Sequence, residues 1–302
     1  WDRRNTENIR FFNPFNGDGW SVSGDAYNNT ARSDNWNWIN TVQYNKVLAE
    51  KHNFSVIAGS DVQKTRVLNW GAQRQGLADF FFTDFQGNYG TNLAAGNGIF
   101  QVSYEAYFSS FSYSYANKYF LSANYRVDGN SALSADNRWG DFGGASLGWT
   151  VSEEKFFKNL NLGNKVSNVR LKASYGKVGN GNVPNAYGSY STFASGLYGA
   201  APTLAFNQAG NKNLKWETST QTNVGVDVSF LNDRIQVEAN YYYKDIDNLI
   251  LNVPQAPSKG IPGNSILANV GSMYNRGYEL AITATPINNG GFTWTTNVNF
   301  AT

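Results

Sequence analysis

Cysteine is absent from the 302 residues, and histidine and methionine each occur once. Without cysteine there is no disulfide scaffold, no thiolate metal site and no cysteine nucleophile, and His52 alone cannot assemble a His-rich metal centre. Long apolar runs are also missing. No stretch approaches the ~18–20 residues of a membrane helix, so any passage through a bilayer has to be made by strands closed into a barrel. Charge of one sign is scarce too: 24 basic against 22 acidic residues leave a net charge of +2, which gives no field favouring nucleic acid. The hydrophobic fraction, 41%, falls below the ~45–50% usual for soluble globular chains.

What the chain does contain is aromatic residues, 16%, and 30 glycines. A fold that is apolar on one strand face and polar on the other needs few Leu and Ile, many rings and many turn glycines, which is the composition of a membrane barrel. No compositional shift marks a second domain, so residues 1–302 are expected to form part of a single barrel domain. The chain opens at Trp1 without a signal peptide and closes inside the alternation of Phe300, Ala301 and Thr302, so a longer parent chain is expected.

Period-two alternation dominates. Val224, Val226, Val228 and Phe230 share one face against Asn223, Gly225, Asp227 and Ser229. Ile235, Val237, Ala239, Tyr241 and Tyr243 follow the same rule after only Leu231-Asn232-Asp233, which predicts a hairpin. Leu121 to Val127 and Val169 to Tyr175 repeat it, with Arg126, Arg170 and Lys172 on the polar side. Arg or Lys on a lipid face costs ~2–4 kcal/mol at the midplane, so these side chains and Glu238 are expected on the lumenal face.

The alternation predicts an all-β fold of about ten antiparallel transmembrane strands, near 36–47, 53–72, 99–113, 117–128, 138–151, 168–177, 216–231, 234–247, 275–286 and 291–302. Connections alternate short and long, with tight turns near residues 50–52, 115–117, 231–233 and 288–291 and a medium segment at 152–167. Outer-membrane barrels have short periplasmic turns and long extracellular loops, which would place 1–33, 73–98, 129–137, 178–215 and 248–274 outside. Pro184, Pro202, Pro254, Pro257 and Pro262 in those segments predict irregular excursions. Tyr113, Tyr115, Tyr119, Trp149, Tyr241, Tyr243, Tyr278, Phe292 and Trp294 lie near strand ends, where rings prefer the lipid–water interface.

Residues 113–131, a Tyr-rich turn leading into a strand that ends Arg126-Val127-Asp128-Gly129, resemble a stretch of SusC/RagA-like, TonB-dependent outer-membrane transporters. The resemblance continues through Asn137-Arg138-Trp139-Gly140, Leu147-Gly148-Trp149, 152–157, 171–180, Asn213-Leu214-Lys215-Trp216-Glu217, 220–225 and 269–280. It implies a barrel of about 22 strands with an N-terminal plug. It further implies a Gram-negative outer-membrane location, a SusD-like surface lipoprotein as partner, and import of oligosaccharides or peptides driven by the TonB system. The plug, the TonB contact and the remaining strands are expected to lie outside these residues. Val127 and Ala132 stand where many relatives carry basic residues, so no charge inference carries over to that loop.

Read physically, Asp128, Gly129, Arg138, Trp139 and Gly140 are expected to pin a strand–loop–strand junction. Gly129 and Gly140 would supply positive φ, and Arg138 would pair with Asp128. Sugars stack on rings, so Tyr89, Tyr187, Tyr190 and Tyr198 in the outer segments are the candidate substrate-binding residues. Packing of the loops on one another is the plainer role for each. No catalytic, cofactor or metal site is expected. Glu153 and Glu154 alternate rather than converge, Asp245 and Asp247 suit a solvated pair, and Gly179-Asn180-Gly181 lacks the strand-to-helix setting of a phosphate loop. Beside the importer stand a passive porin and, less favoured, a soluble β-sheet carbohydrate-binding protein; an outer-membrane enzyme comes last.

Overall fold

The computed structural model describes residues 1–81, 83–162, 165–184 and 186–302. The segments expected at 73–98, 152–167 and 178–215 therefore lie outside the described residues at Phe82, Gly163, Asn164 and Asn185. The strands are β1 (Asp2–Phe12), β2 (Asp25–Leu48), β3 (His52–Leu77), β4 (Tyr89–Tyr115), β5 (Tyr119–Asn130), β6 (Trp139–Thr150), β7 (Val166–Asn180), β8 (Thr192–Tyr198), β9 (Ala201–Gln208), β10 (Glu217–Phe230), β11 (Ile235–Asp247), β12 (Ile250–Pro254), β13 (Ser265–Asn269), β14 (Ser272–Asn288) and β15 (Thr293–Ala301). Among the described residues the one α-helix is a single turn, α1 (Lys155–Lys158), and no helix is long and apolar enough to cross a membrane.

The chain divides into two units. Unit 1 comprises residues 1–38 and 62–104. Here β1 pairs antiparallel with β2 from Asp2↔Asn35 to Phe12↔Asp25. No strand was expected within 1–33, and β1 with the start of β2 lies there. Strand β1 escaped notice because over Asp2–Asn8 both its faces are polar and exposed, and cross-strand contacts such as Arg3 Nε to Asp34 (2.5 Å) and Asn28 Nδ2 to Glu7 (2.8 Å) take the place of alternation. β2 and β4 also begin about ten residues earlier than expected, at Asp25 and Tyr89. Tyr89 is buried against Ala26, Leu77 and Phe85, and Arg74 lies 5.1 Å from its ring.

Unit 2 comprises residues 39–61 and 105–302. Its hydrogen-bonded strand order β5-β6-β7-β10-β11-β14-β15 follows the sequence apart from the two inserted hairpins. Register aligns side chains into rows. One row runs Leu121↔Leu147↔Ala173↔Val224↔Tyr241↔Tyr278, with Leu147, Val224 and Tyr278 each more than half exposed. One residue along, Ser122↔Ser146↔Ser174↔Asn223↔Tyr242 lines the other face. The apolar side is therefore the uncovered one, the reverse of a soluble sheet packed on a core.

The two ends of unit 2 differ. At one end the turns are two or three residues in left-handed conformation: Ala49-Glu50, Ala116-Asn117 and Leu231-Asn232-Asp233. Neighbouring turns join through backbone bonds, Thr150 N–H to Lys118 O (2.8 Å) and Thr285 N–H to Arg234 O (2.7 Å). The medium segment also lies here, with Glu154 accepting from Tyr119 Oη (2.5 Å), Lys118 Nζ (3.2 Å) and Trp149 Nε1 (3.3 Å). At the other end the connections are long, and two of them are not irregular as expected. β8–β9 and β12–β13 are hairpins within them, with Pro202 and Pro254 in their strands. A two-stranded sheet has only edge strands, which is where proline's missing N–H is tolerated.

Candidate functional site at the long-connection end

Three long connections of unit 2 are tied together at their roots. Asn130, the last residue of β5, is fully buried. Its amide donates to Gly181 O at 2.6 Å and accepts from Ala132 N–H at 2.9 Å, while its backbone N–H donates to Arg138 O at 3.1 Å. One side chain thus fixes its own loop and reaches the next connection. Ser134 Oγ donates to Leu214 O at 3.0 Å and accepts from Asn137 Nδ2 at 2.9 Å, with Leu133 and Leu214 fully buried beside it.

The third connection joins through Asn269. Its amide donates to Lys215 O (2.8 Å) and Asn248 O (2.9 Å) and accepts from Lys215 N–H (2.9 Å). Asn211 Nδ2 adds a bond to Leu267 O at 2.9 Å. Trp216, just before β10, donates Nε1–H to Arg138 O at 2.9 Å and meets the Phe142 ring edge-on at 5.3 Å. Buried backbone groups of irregular segments have to be bonded somewhere, and primary amides, with two donors and an acceptor, bond several at once.

The expected pinning residues do come together here, though by other atoms. Asp128 pairs with Arg126 at 2.6 Å, and Arg126 also reaches Asp61 at 3.5 Å. The expected Arg138–Asp128 pair is absent among the described residues: Arg138 contributes its carbonyl, and its Nε is buried without a hydrogen-bond partner. Gly129 and Gly140 do not have positive φ. They are required by close approach instead, since a Cβ on Gly129 would lie 2.9 Å from the Trp139 ring and one on Gly140 2.6 Å from Phe142. Sequence reasoning singled out neither Asn130 nor Asn269. Their signal was their place inside the quoted motif blocks, which read as turn chemistry.

The candidate tyrosines divide. Tyr89 is buried in unit 1 and has no free face, which corrects its assignment as a substrate contact. Tyr187 O and Tyr190 O both accept from Gln208 Nε2, at 2.9 and 3.1 Å, and the Tyr190 ring is about half exposed. Tyr198, at the tip of the β8–β9 hairpin, is 86% exposed. No group of metal-ligating side chains occurs among the described residues.

Residues 1–302 match the family described as TonB dependent receptor-like, beta-barrel. The chain belongs to that family. It is 34% identical over 269 residues to TonB-dependent receptor P39 of Formosa agariphila, covering 87% of this chain and 25% of that protein. To TonB-dependent receptor SusC of Bacteroides thetaiotaomicron it is 35% identical over 206 residues, covering 64% of this chain and 20% of that protein. The solved structure of the RagAB peptide transporter superimposes with a TM-score of 0.82 at 25% identity, over 92% of this chain and 30% of that one. The chain thus spans about a quarter of the length of the curated relatives it matches.

Within a TonB-dependent receptor barrel, the exposed apolar rows of unit 2 face lipid and the Ser–Asn rows face the lumen. Lys172 lies on the polar side, with Nζ 2.8 Å from Asp227 Oδ1 and 2.5 Å from Glu238 Oε1. Such charges are tolerated in a wide lumen and opposed on a lipid face.

Proposed function

We propose that the chain is part of the single barrel wall of an outer-membrane importer that takes up oligosaccharides or peptides with TonB-derived energy and a SusD-like surface lipoprotein as partner. The observation that carries this reading is the family match along all 302 residues, joined to a 0.82 TM-score fit to the solved RagAB peptide transporter. The plug and TonB contact belong to parts of the protein outside these residues. The wall itself performs no catalysis. It supplies a polar conduit and, at the long-connection end, a tied platform from which exposed Tyr190 and Tyr198 reach cargo, with Tyr187 at their base.

Cells carrying the full-length protein test this directly. Uptake of labelled oligosaccharides and peptides is expected to fall to background for one class when the gene is deleted, and equally when TonB is removed. Uptake that survives loss of TonB would sink the importer reading and favour a passive porin. Purification of the full-length protein without detergent would favour a soluble β-protein. Affinity purification from membranes is expected to bring down a surface lipoprotein.

A further inference from the structure

On the polar face of unit 2 two cations are held by carboxylates. Arg126 is taken by Asp128 and Asp61, and Lys172 by Asp227 and Glu238. Arg170 has no carboxylate within ion-pair distance among the described residues, and its Nε is buried without a hydrogen bond. This is not for want of a neighbour in register, because Asp227 stands directly across from it. Lys172 Nζ lies 2.8 Å from Asp227 Oδ1 as an ion pair without hydrogen-bond geometry, and the Arg170 guanidinium lies instead 4.6 Å from the Phe120 ring.

The seat is made by two strands. Phe120 supplies a flat face on which a guanidinium stacks, and Gly148 leaves room beside it, since a Cβ there would stand 3.2 Å from Arg170 Nη2. The guanidinium opens on a cavity of about 570 Å³ whose wall includes Asn53, Ser112, Ser114, Ser122 and Ser146, with Lys46 as a second cation and no acidic residue. A stacked, half-desolvated guanidinium with an unused donor, ringed by hydroxyls and amides, presents the fork geometry that takes a carboxylate.

We propose that Arg170 is a carboxylate anchor on the lumenal wall, filled by a group outside residues 1–302. This rests on the barrel reading above for its assignment to the lumen. The carboxylate has two possible sources, an acidic side chain from the rest of the polypeptide or the carboxyl group of an acidic cargo, and the test separates them.

The full-length protein in detergent is the object to test. Its structure without added cargo is expected to place a carboxylate in ion-pair contact with the Arg170 guanidinium, which would identify an internal source. If no side chain is there, a structure with saturating acidic tripeptide Ala-Glu-Ala is expected to show the glutamate in that position. A guanidinium that meets only water in both structures, or turns back onto Asp227, overturns the proposal. Arg170→Gln is expected to lose the salt-sensitive part of thermal stability (internal source) or of tripeptide affinity (cargo source), whereas Arg170→Lys keeps most of it. Equal salt sensitivity in Gln and wild-type proteins also overturns it. Outer-membrane insertion and TonB-dependent uptake by the wild type report separately on the barrel reading.

Discussion

The two ends of unit 2 solve the same problem by different means. Where β-strands turn around after two or three residues, as at Ala116-Asn117 and Leu231-Asn232-Asp233, left-handed backbone suffices and the chain's own amides close the turn. Where the connections run long, backbone groups at their roots have no strand partner, and side chains from other connections bond them: Asn130 to Gly181, Ser134 to Leu214, Trp216 to Arg138 and Asn269 to Lys215. At the short-turn end the turn geometry is locally encoded, and backbone bonds such as Thr150 N–H to Lys118 O only join neighbouring turns. The long-connection end is collectively encoded, so one substitution should be felt in several loops. It can therefore carry exposed hairpins such as β8–β9 without letting their roots move.

The largest expected effect breaks the knot at its aromatic centre. Trp216→Ala removes a buried ring that packs edge-on against Phe142 and takes away one of the two donors to the Arg138 carbonyl, leaving the Asn130 N–H. Truncation of a buried aromatic costs about 3–5 kcal/mol, so thermal unfolding of the full-length protein should show a clear loss. Hydrogen exchange should rise together in 131–138 and 181–216 while the Leu231-Asn232-Asp233 turn keeps its protection. Exchange rising equally at both ends would show that the two ends are held alike.

Asn130→Ala comes next. It leaves the Gly181 carbonyl and the Ala132 N–H buried without partners, at about 1–3 kcal/mol. The sharper test is Asn130→Asp, which keeps the acceptor for Ala132 but places a carboxylate against the Gly181 carbonyl. Thermal unfolding should rank Asp no better than Ala; a near-wild-type Asp variant would mean that the Gly181 bond contributes little.

How much of this was legible in the sequence follows from the same contrast. Leu121 to Val127 and Val169 to Tyr175 announce strand and face by alternation alone, because lipid demands one sign of polarity per face. Asp2–Phe12 does not, because over Asp2–Asn8 both faces are polar and no period is imposed. The β12–β13 hairpin was hidden by its prolines, which local rules read as breakers and edge strands accept. At the knot the right residues were visible in the motif blocks, but a sequence does not say whether Arg138 acts through its guanidinium or its carbonyl. Only the packing of Trp216 decides that.

At the short-turn end the expected effects are small and of opposite sign. Ala116 has φ 50°, a conformation that places its Cβ against the following carbonyl. Ala116→Gly should therefore leave thermal stability unchanged or raise it by up to about 1 kcal/mol. A loss comparable to that of Asn130→Ala would show that this turn is also held by packing.

The smallest effect is confined to one pH window. Hydrogen bonds from Tyr119, then Lys118 and Trp149, hold the Glu154 carboxyl below its ordinary value of 4.5. A depressed carboxylate contributes stability above its unfolded value and loses it as pH falls through the folded one. Between neutrality and about pH 5 nothing should change; below the ordinary carboxylate range the segment around α1 should open first, read as hydrogen exchange in 152–162. Glu154→Gln should show that opening at neutral pH already and should flatten the acid dependence. An unchanged acid profile in the Gln variant would move the effect to another group. A matching change at Asn130 would mean that the two ends communicate, which separately encoded ends should not do.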